Sequence, residues 1–298
     1  VEGQYLHDRL ALNLYPLNAY NITLKQKTTT QDCMTTKEVY AYNPETLQLV
    51  EKRLVHPDEY ELTSTYVYPN DVYGTVYQGM TRKHILSLII EEKFFRNDSL
   101  IACKLQEYQE YPKDYKTSLL LPYKTHFSEI NSFLPKETLT FLGEGFINKD
   151  IYPSDNVEYC KYDHYGNLIH VVLNKTVSYV YLWGYGGQYP IAEISNTSYE
   201  EVQRALGGQL PESLSSIASP DFTMLDLLRE KLPQAHITTY KYDPGIGMTE
   251  KISPAGHTTY YEYDGLGRMN RSYIKVKDNN GIEQEQTLKA LDYHYRED

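Results

Sequence analysis

Alternating hydrophobic and polar positions, with tyrosine as the recurrent large side chain, run along most of this chain. Residues 238–248 read TTYKYDPGIGM and residues 259–269 read TYYEYDGLGRM, at a step of 21 residues from Thr238 to Thr259. A second turn signal, Pro254-Ala255-Gly256, lies between the two strings. Alternation of period two is typical of a strand, and clusters of glycine and proline mark turns. One unit therefore predicts a strand, a turn, a strand and a turn.

The repeated unit has the features that a hairpin needs. Residues two apart in a strand share a face, so Tyr240 with Tyr242, and Tyr261 with Tyr263, are expected to form cross-strand ladders on one face. The aspartate that ends each strand is expected to accept hydrogen bonds from its own turn, and the glycine to supply a positive φ. The signature residues of the repeat are Tyr162, Asp163, Gly166, Tyr240, Tyr242, Asp243, Gly247, Tyr261, Tyr263, Asp264, Gly267 and Arg268.

Aligning the two strings places Gly247 on Gly267 within one residue, and Arg268 is expected to pair with a neighbouring carboxylate. Looser copies keep the alternating aromatics or the turn, and they read Tyr40-Ala41-Tyr42-Asn43-Pro44, Tyr66-Val67-Tyr68-Pro69, Tyr162-Asp163-His164-Tyr165-Gly166-Asn167 and Tyr293-His294-Tyr295. Further strands are predicted at 89–96 and 100–108 around the turn signal Asn97-Asp98-Ser99, and in a meander of 157–163, 168–173 and 176–182.

Two or three short helices interrupt the strands. One is expected from about residue 73 to 83. A second begins at the capping box of Ser198 and Glu201 and ends before Gly207-Gly208. A third is expected to have Ser219 as its N-cap and Pro220 at its first position. Its apolar face consists of Phe222, Leu225, Leu228 and Leu232. The serine-rich segment 209–218 is expected to be a mobile loop.

These patterns predict a mainly β fold, an antiparallel sheet of hairpins forming a curved or spiral shell segment, with two or three short helices. Residues 1–156 are interpreted as a β-rich region with degenerate aromatic repeats and one helix. Residues 157–298 are interpreted as the better-kept repeat region, with a helical insertion at about 196–233.

Composition narrows the function classes. The chain has 31 tyrosines against 7 phenylalanines and 1 tryptophan, and tyrosine suits strands in which one part of the ring is packed and the hydroxyl reaches a partner. A net charge of -11 argues against nucleic-acid binding. The sequence has no run of 18 apolar residues, so it predicts no membrane span. Cys33, Cys103 and Cys160 are too few and too far apart for a disulfide framework or a zinc site, although one pair could bridge.

The strings TTYKYDPGIGMTEKISPAGHTTYYEYDGLGRM and YDHYGNL resemble the YD repeats of the RHS family, which includes polymorphic toxins, shell subunits of insecticidal toxin complexes and the teneurins. Residues 179–194, YVYLWGYGGQYPIAEI, look like segments of RHS-repeat proteins from Bacteroides-type bacteria. The resemblance is good over about 157–298 and weaker over 1–156. It implies a sheet wound into a hollow shell that, in toxin members, encloses a C-terminal toxin.

Toxin members of the RHS family carry a self-cleavage motif of the D-P-x-G-L type. Residues 243–248, DPGIGM, look similar but have Met248 where leucine is expected, and their position inside a repeat explains them better. The histidines, including His164 and His170 on either side of one turn, show no metal-site or hydrolase spacing. No cofactor, metal or catalytic residue is therefore expected, and an enzyme such as a glycosidase is the third and least favoured function.

The leading interpretation is a non-catalytic structural segment of a secreted or surface-exposed shell. Its partners would be the rest of a parent repeat protein, with a C-terminal toxin or cargo. The alternative is an adhesion module that binds a surface glycan or protein. Trp183, Tyr185 and Tyr189, beside glycines, are its candidate platform, although a wide turn whose Trp183 fills the core next to the helix at 198–206 is favoured over it. The start at Val1 without methionine, and the repeat-like Tyr293-His294-Tyr295, indicate a piece of a longer chain.

Overall fold

The computed structural model describes residues 22–32, 34–57, 60–112, 118–130, 149–152, 156–277 and 281–293. Within these ranges the strands form one 16-stranded sheet in which each strand pairs antiparallel with the next along the chain. The strands are β1 (Gln26–Gln31), β2 (Met34–Tyr42), β3 (Leu49–Val55), β4 (Glu61–Val67), β5 (Glu91–Arg96), β6 (Ser99–Pro112), β7 (Ser118–Glu129), β8 (Val157–Tyr162), β9 (Leu168–Leu173), β10 (Val177–Gly184), β11 (Tyr189–Ser195), β12 (His236–Asp243), β13 (Gly247–Ile252), β14 (Thr258–Tyr263), β15 (Met269–Lys277) and β16 (Glu283–Ala290).

The predicted mainly β, antiparallel fold is confirmed, and the predicted hairpins lie where the alternation indicates them. Asn97 and Asp98 have φ of 47° and 60°, as the primed turn of a two-residue hairpin requires. The predicted strands at 157–163, 168–173 and 176–182 are β8, β9 and β10. Cys33 and the last two residues of Tyr293-His294-Tyr295 lie outside the described residues, while Cys103 and Cys160 are free thiols.

The hairpins share a β-bulge close to their loops. In β12–β13 the register passes from Lys241 opposite Glu250 to Tyr242 opposite Met248, which leaves Thr249 as the extra residue. The hairpins β2–β3, β8–β9, β10–β11 and β14–β15 shift register at the equivalent place. A bulge increases the local twist and bends the strand that carries it. The loop ends of successive hairpins are therefore turned away from the regular ladder.

One face of the sheet carries the helices. The helices α2 (Tyr199–Ala205) and α3 (Phe222–Lys231), with the 3₁₀ turn Pro211–Ser216, cover a core formed with β9 to β12. The helix α1 (Thr75–Arg82) and residues 149–152 cover a second core over β5 and β6. The largest fully buried side chains of the two cores are Met80, Ile90, Leu100, Leu105, Ile169, Leu182, Ile191, Ile194, Leu214, Leu225, Leu228 and Ile237.

The helix boundaries agree with the sequence except at the start of α3. The capping box of α2 is present, because Ser198 accepts from the Glu201 amide and the Glu201 carboxylate accepts from the Ser198 amide. The N-cap of α3 is Asp221, which accepts from the Thr223 amide at 3.0 Å, and the expectation of Ser219 was wrong. The ring of Pro220 lies against Gly184 of β10, where a Cβ would be 2.5 Å from it. That packing holds residue 220 outside the helix.

The segment 209–218 was wrongly expected to be a mobile loop. Its central turn, Pro211–Ser216, buries Leu214 and Ser215 against β10. The hydroxyl of Tyr199 donates to the Glu212 carboxylate at 2.5 Å, which ties the segment to α2. Serine richness misled the interpretation, because Leu214 and Pro211 are buried and dock the segment on the sheet.

The docking of α3 on the sheet gives a test of the fold. Leu225 is 1% exposed in the core, whereas Leu227 on the same helix is 49% exposed. Leu225→Ala is expected to lower the free energy of unfolding by about 2–5 kcal/mol, because it leaves a cavity in a close-packed core. Leu227→Ala is the matched control and should change it by less than about 0.5 kcal/mol in a denaturant titration. Equal losses in the two variants would contradict the packing described.

Candidate functional site: aromatic joints between hairpins

Because the strands alternate in direction, the turns after the even-numbered strands all lie at one end of the sheet, here called the joint edge. These turns include residues 43–48, 163–167, 185–188 and 264–268. The aspartates and glycines of the predicted repeat signature therefore lie along this edge, with Tyr162, Tyr242 and Tyr263 next to them. Tyr240 and Tyr261 lie two residues further back in the ladders, opposite Lys251 and Ser272 rather than opposite another tyrosine.

At the joint edge, five aromatic side chains each donate a hydrogen bond to a backbone carbonyl of the preceding hairpin. The distances are 2.8–2.9 Å, and the donor–acceptor pairs are Tyr68 to Leu49, Tyr162 to Pro122, Trp183 to Leu168, Tyr263 to Met248 and Tyr293 to Met269. Each such contact is called a joint. Four joints use a tyrosine hydroxyl, and one uses the indole N–H of Trp183.

In every joint, the acceptor residue is paired across its own hairpin with a tyrosine. Leu49 pairs with Tyr42, Pro122 with Tyr108, Leu168 with Tyr162, Met248 with Tyr242 and Met269 with Tyr263. Tyr263 thus donates to the partner of Tyr242, and its own partner, Met269, accepts from Tyr293. Successive joints are therefore linked in two runs, from Tyr162 to Trp183 and from Tyr263 to Tyr293.

The joints occupy a constant position relative to the sheet ladder. Each acceptor lies two residues beyond the last ladder pair that its strand makes with the following strand, as Met248 lies beyond Glu250. The donor lies three residues beyond that pair, except that Tyr162 lies four beyond it because Cys160 is an extra bulge residue. The ladder has ended there, so the carbonyl has no strand partner and the aromatic donor supplies one.

Gly247 makes room for a joint. A Cβ at this position would lie 2.5 Å from the Tyr263 hydroxyl oxygen, so a side chain would block the bond to Met248. Gly245, at φ 86°, follows Pro244 as in a type II turn, and Gly247 also has a positive φ, of 158°. The two glycines that the sequence alignment equates therefore differ. Gly247 makes room for the Tyr263 hydroxyl, whereas Gly267, at φ 73°, is a turn glycine with nothing close to it among the described residues.

The turn aspartates act on their own turns in two of the three signature hairpins. One oxygen of Asp163 accepts from the amides of Tyr165 and Asn167, at 2.9 and 2.8 Å. One oxygen of Asp264 accepts from the amides of Leu266 and Arg268, at 2.9 and 3.0 Å. These bonds satisfy donors that the hairpin loop leaves unpaired.

Asp243 differs from the other two signature aspartates. Within the described ranges its carboxylate makes no hydrogen bond to the turn. Pro244 has no N–H to donate, and the Gly245 amide donates instead to the Tyr189 hydroxyl of the preceding hairpin, at 3.4 Å. Sequence identity at the aspartate position therefore does not ensure the same bonding.

Arg268 joins the turn to the next repeat. Its guanidinium donates to the second oxygen of Asp264 at 2.8 and 2.5 Å, and this bonding holds the pKa of that carboxyl below its usual value. The same guanidinium lies 4.3 Å from the ring centre of Tyr293, a cation–π contact. Arg268 thus supports the ring whose hydroxyl completes the joint at Met269.

The candidate platform residues are engaged within the chain. Trp183 is half-buried, and its indole N–H serves the joint at Leu168. Tyr185 accepts from the Tyr242 amide at 3.1 Å, and Tyr189 stacks on Tyr242 with ring centres 4.6 Å apart. A ligand on these rings would have to compete with the contacts that connect one hairpin to the next.

Sequence reasoning missed a buried polar cluster beneath residues 149–152. Glu91 is 3% exposed, accepts from the Tyr152 hydroxyl at 2.9 Å and pairs with Lys93 at 2.5 Å. Burial raises the pKa of the neighbouring Cys103 thiol to about 11, so it stays protonated and unreactive at neutral pH. Tyr152 and Glu91 are distant in sequence, and no local pattern connects them. The arrangement anchors the 149–152 segment on the sheet.

Other candidate chemistry finds little support in the described part of the chain. His170 bonds the Ser178 hydroxyl at 3.0 Å, while His164 packs on Tyr165. No group of three or more His, Cys, Asp or Glu side chains is placed there to hold a metal ion. Among the described helices, none has the length and apolarity needed to cross a membrane.

The joint at Met248 can be tested with a variant that removes one oxygen atom. Tyr263→Phe deletes the hydroxyl and leaves the Met248 carbonyl without its donor, so the free energy of unfolding should fall by about 1 kcal/mol. Tyr261→Phe is the control, since Tyr261 lies two residues earlier on the same strand and its hydroxyl bonds nothing among the described residues. Equal effects of the two variants in a denaturant titration would argue against the joint.

The turn aspartates give a second test. Asp264→Ala should lower the melting temperature by a few degrees, because it removes the acceptor of two turn amides and of Arg268. Asp243→Ala occupies the same repeat position without those bonds and should melt like the wild type. Since Arg268 lowers the pKa of Asp264, the stabilisation is present above the unfolded carboxyl pKa of about 3.9 and is lost as the pH falls through the lower folded value. A difference between wild type and Asp264→Ala that stays constant down to about pH 2 would contradict this role.

Comparison with known proteins gives distant likenesses in structure. No protein-family model matches the chain, and no curated protein matches it in sequence. The structures it resembles include the Tc holotoxin pore of Photorhabdus luminescens, at a TM-score of 0.32 and 9% identity over 88% of this chain and 12% of that one. Another is the crystal structure of TcdB2-TccC3, at a TM-score of 0.19 and 11% identity over 87% of this chain and 15% of that one. The chain therefore spans a small part of these proteins, and at such TM-scores the likeness carries no argument about its function.

Proposed function

We propose that this chain is a non-catalytic structural segment of an RHS/YD-repeat β shell and forms one arc of a larger protein. The observation that carries the proposal is the series of joints, in which an aromatic donor reaches the carbonyl opposite the aromatic residue of the hairpin before it. A contact that repeats with constant spacing is typical of repeat proteins, whose units are stabilised by their neighbours.

The joints make the units interchangeable in principle. Each joint uses a backbone carbonyl as its acceptor, so the receiving side needs no particular side chain beyond one that leaves room. The donating side needs only an aromatic ring with a donor at its tip. A sheet built in this way can grow by whole hairpins, which suits an extended wall better than a site for chemistry.

The wider role follows from the resemblance of residues 157–298 to YD repeats. We infer that the remainder of a parent repeat protein continues the sheet, and that the shell encloses a cargo or a C-terminal toxin outside the cell or at its surface. The adhesion alternative is disfavoured by the engagement of Trp183, Tyr185 and Tyr189 within the chain.

Deleting one whole unit tests the proposal. Removal of residues 244–264 joins Asp243 to Gly265 and brings Tyr242 opposite Met269, in the register that Tyr263 occupies in the wild type. The joint from Tyr293 to Met269 can then form unchanged. The shortened chain is expected to unfold cooperatively in denaturant and to keep the far-ultraviolet circular dichroism of a β protein.

A half-unit deletion is the matched control. Removal of residues 244–254 takes out β13 alone, so β14 must reverse its direction and its tyrosines arrive at the edge opposite the joints. This variant should lose cooperative unfolding. If the whole-unit deletion unfolds as the half-unit deletion does, the chain is a single fold without interchangeable units, and the shell proposal is wrong.

A further inference from the structure

The junction between β11 and β12 is built differently from the five joints. Tyr242 has the usual position of a donor, three residues beyond the ladder pair of Ala192 with Thr239, and Pro190 has that of an acceptor. Within the described ranges, however, no residue hydrogen-bonds the Tyr242 hydroxyl. Its ring stacks instead on Tyr189 of β11, with ring centres 4.6 Å apart and planes 17° apart.

This junction connects strands that are far apart in sequence. The ladder between β11 and β12 covers Ala192–Ser195 and His236–Thr239, and the chain between them forms the helical insertion. Beyond the ladder, the hairpins are held by the tyrosine stack and by the hydroxyls of Tyr185 and Tyr189, which accept from the amides of Tyr242 and Gly245. At the joint edge, the side chains of Tyr185 and Tyr189 therefore connect the two hairpins.

We propose that Tyr189 and Tyr242 are a site of oxidative cross-linking, at which a peroxidase-type one-electron oxidant using hydrogen peroxide couples the two rings into dityrosine. Each phenol loses one electron and its hydroxyl proton to give a phenoxyl radical. The two radicals form a carbon–carbon bond between ring positions ortho to the oxygens. The hydrogen on each of those carbons then returns as a proton to the phenol oxygen. Overall, two hydrogen atoms leave the protein and one hydrogen peroxide becomes two waters.

The geometry suits this coupling. Nearly parallel rings at 4.6 Å hold the ortho carbons of the two tyrosines close before either is oxidised, so coupling is intramolecular and needs little reorganisation. The bond from the Gly245 amide to the Tyr189 oxygen and the edge contact of Tyr185, 5.7 Å from Tyr189, restrict the ring that receives Tyr242. Both rings are only half-buried, so an oxidant can reach them.

The surroundings of Tyr242 are aromatic rather than ionic. Burial, followed by the neighbouring tyrosines, raises the pKa of Tyr242 to about 12, so the phenol is protonated at neutral pH and loses its proton together with the electron. Phenols close by can share the radical before coupling, which directs it towards the stacked pair.

A second stacked pair in the same sheet provides an internal control. Tyr260 and Tyr273 lie 5.2 Å apart at 21°, but Arg271 and Lys275 lie over the rings of Tyr273 and Tyr260 at 4.2 and 4.9 Å. A cation over a ring opposes removal of an electron from it, and Tyr273 is only 9% exposed. This pair should resist coupling although its rings also stack.

The test treats the intact protein with horseradish-type peroxidase and limiting hydrogen peroxide, then follows dityrosine fluorescence and tryptic peptides by mass spectrometry. The expected product joins peptide 242–251, whose one tyrosine is Tyr242, to peptide 176–204 through Tyr189, with a mass lower by two hydrogen atoms. A link between peptides 252–268 and 272–275, which contain Tyr260 and Tyr273, should be at least tenfold less abundant.

Two variants complete the experiment. Tyr189→Phe keeps a ring for stacking but cannot form a phenoxyl radical, so the cross-link and most of the fluorescence should disappear. Tyr181→Phe, in the same tryptic peptide, should cross-link as the wild type does. Unchanged fluorescence in Tyr189→Phe, or equal coupling of Tyr260 with Tyr273 in the wild type, would overturn the proposal. The peptide map of the wild type decides the question even if Tyr189→Phe folds poorly.

Discussion

The backbone carbonyl that has no ladder partner at five of the junctions between hairpins is the constraint on which this sheet depends. The bulge close to the loop bends one strand, the ladder to the next hairpin stops, and a carbonyl such as that of Met248 faces a gap. An unsatisfied backbone group in a partly buried place is costly. The joint closes the gap with a flat ring and satisfies the carbonyl with a donor at the far end of that ring.

This constraint explains why tyrosine rather than phenylalanine occupies four of the five joints. Phenylalanine could fill the gap but has no donor, and serine or threonine have a donor but cannot reach across it. Tryptophan meets both needs, and the single tryptophan stands at a joint position. The constraint also explains Gly247, whose missing side chain makes room for the hydroxyl of Tyr263.

The fold could be predicted from the sequence because its pairing is local. Alternation of period two gives the strands, turn residues give the hairpins, and neighbouring strands in the chain are neighbours in the sheet. The joints could not be predicted, because the donor and acceptor lie on different hairpins and the acceptor is backbone, which leaves no mark in the sequence. Trp183 was read as part of a platform because aromatic residues beside glycines look similar in either role. Tyr152 and Glu91 meet only through the tertiary fold.

The indole N–H of Trp183 gives the most direct measurement of the central claim that aromatic donors hold successive hairpins together. Because the chain has one tryptophan, its indole proton resonance is identified without assignment of the spectrum. If the joint to the Leu168 carbonyl is present in solution, this proton should exchange with deuterium about as slowly as core amides of β9 and β10. Exchange as fast as that of a free indole would contradict the account, since the carbonyl would then lack its donor.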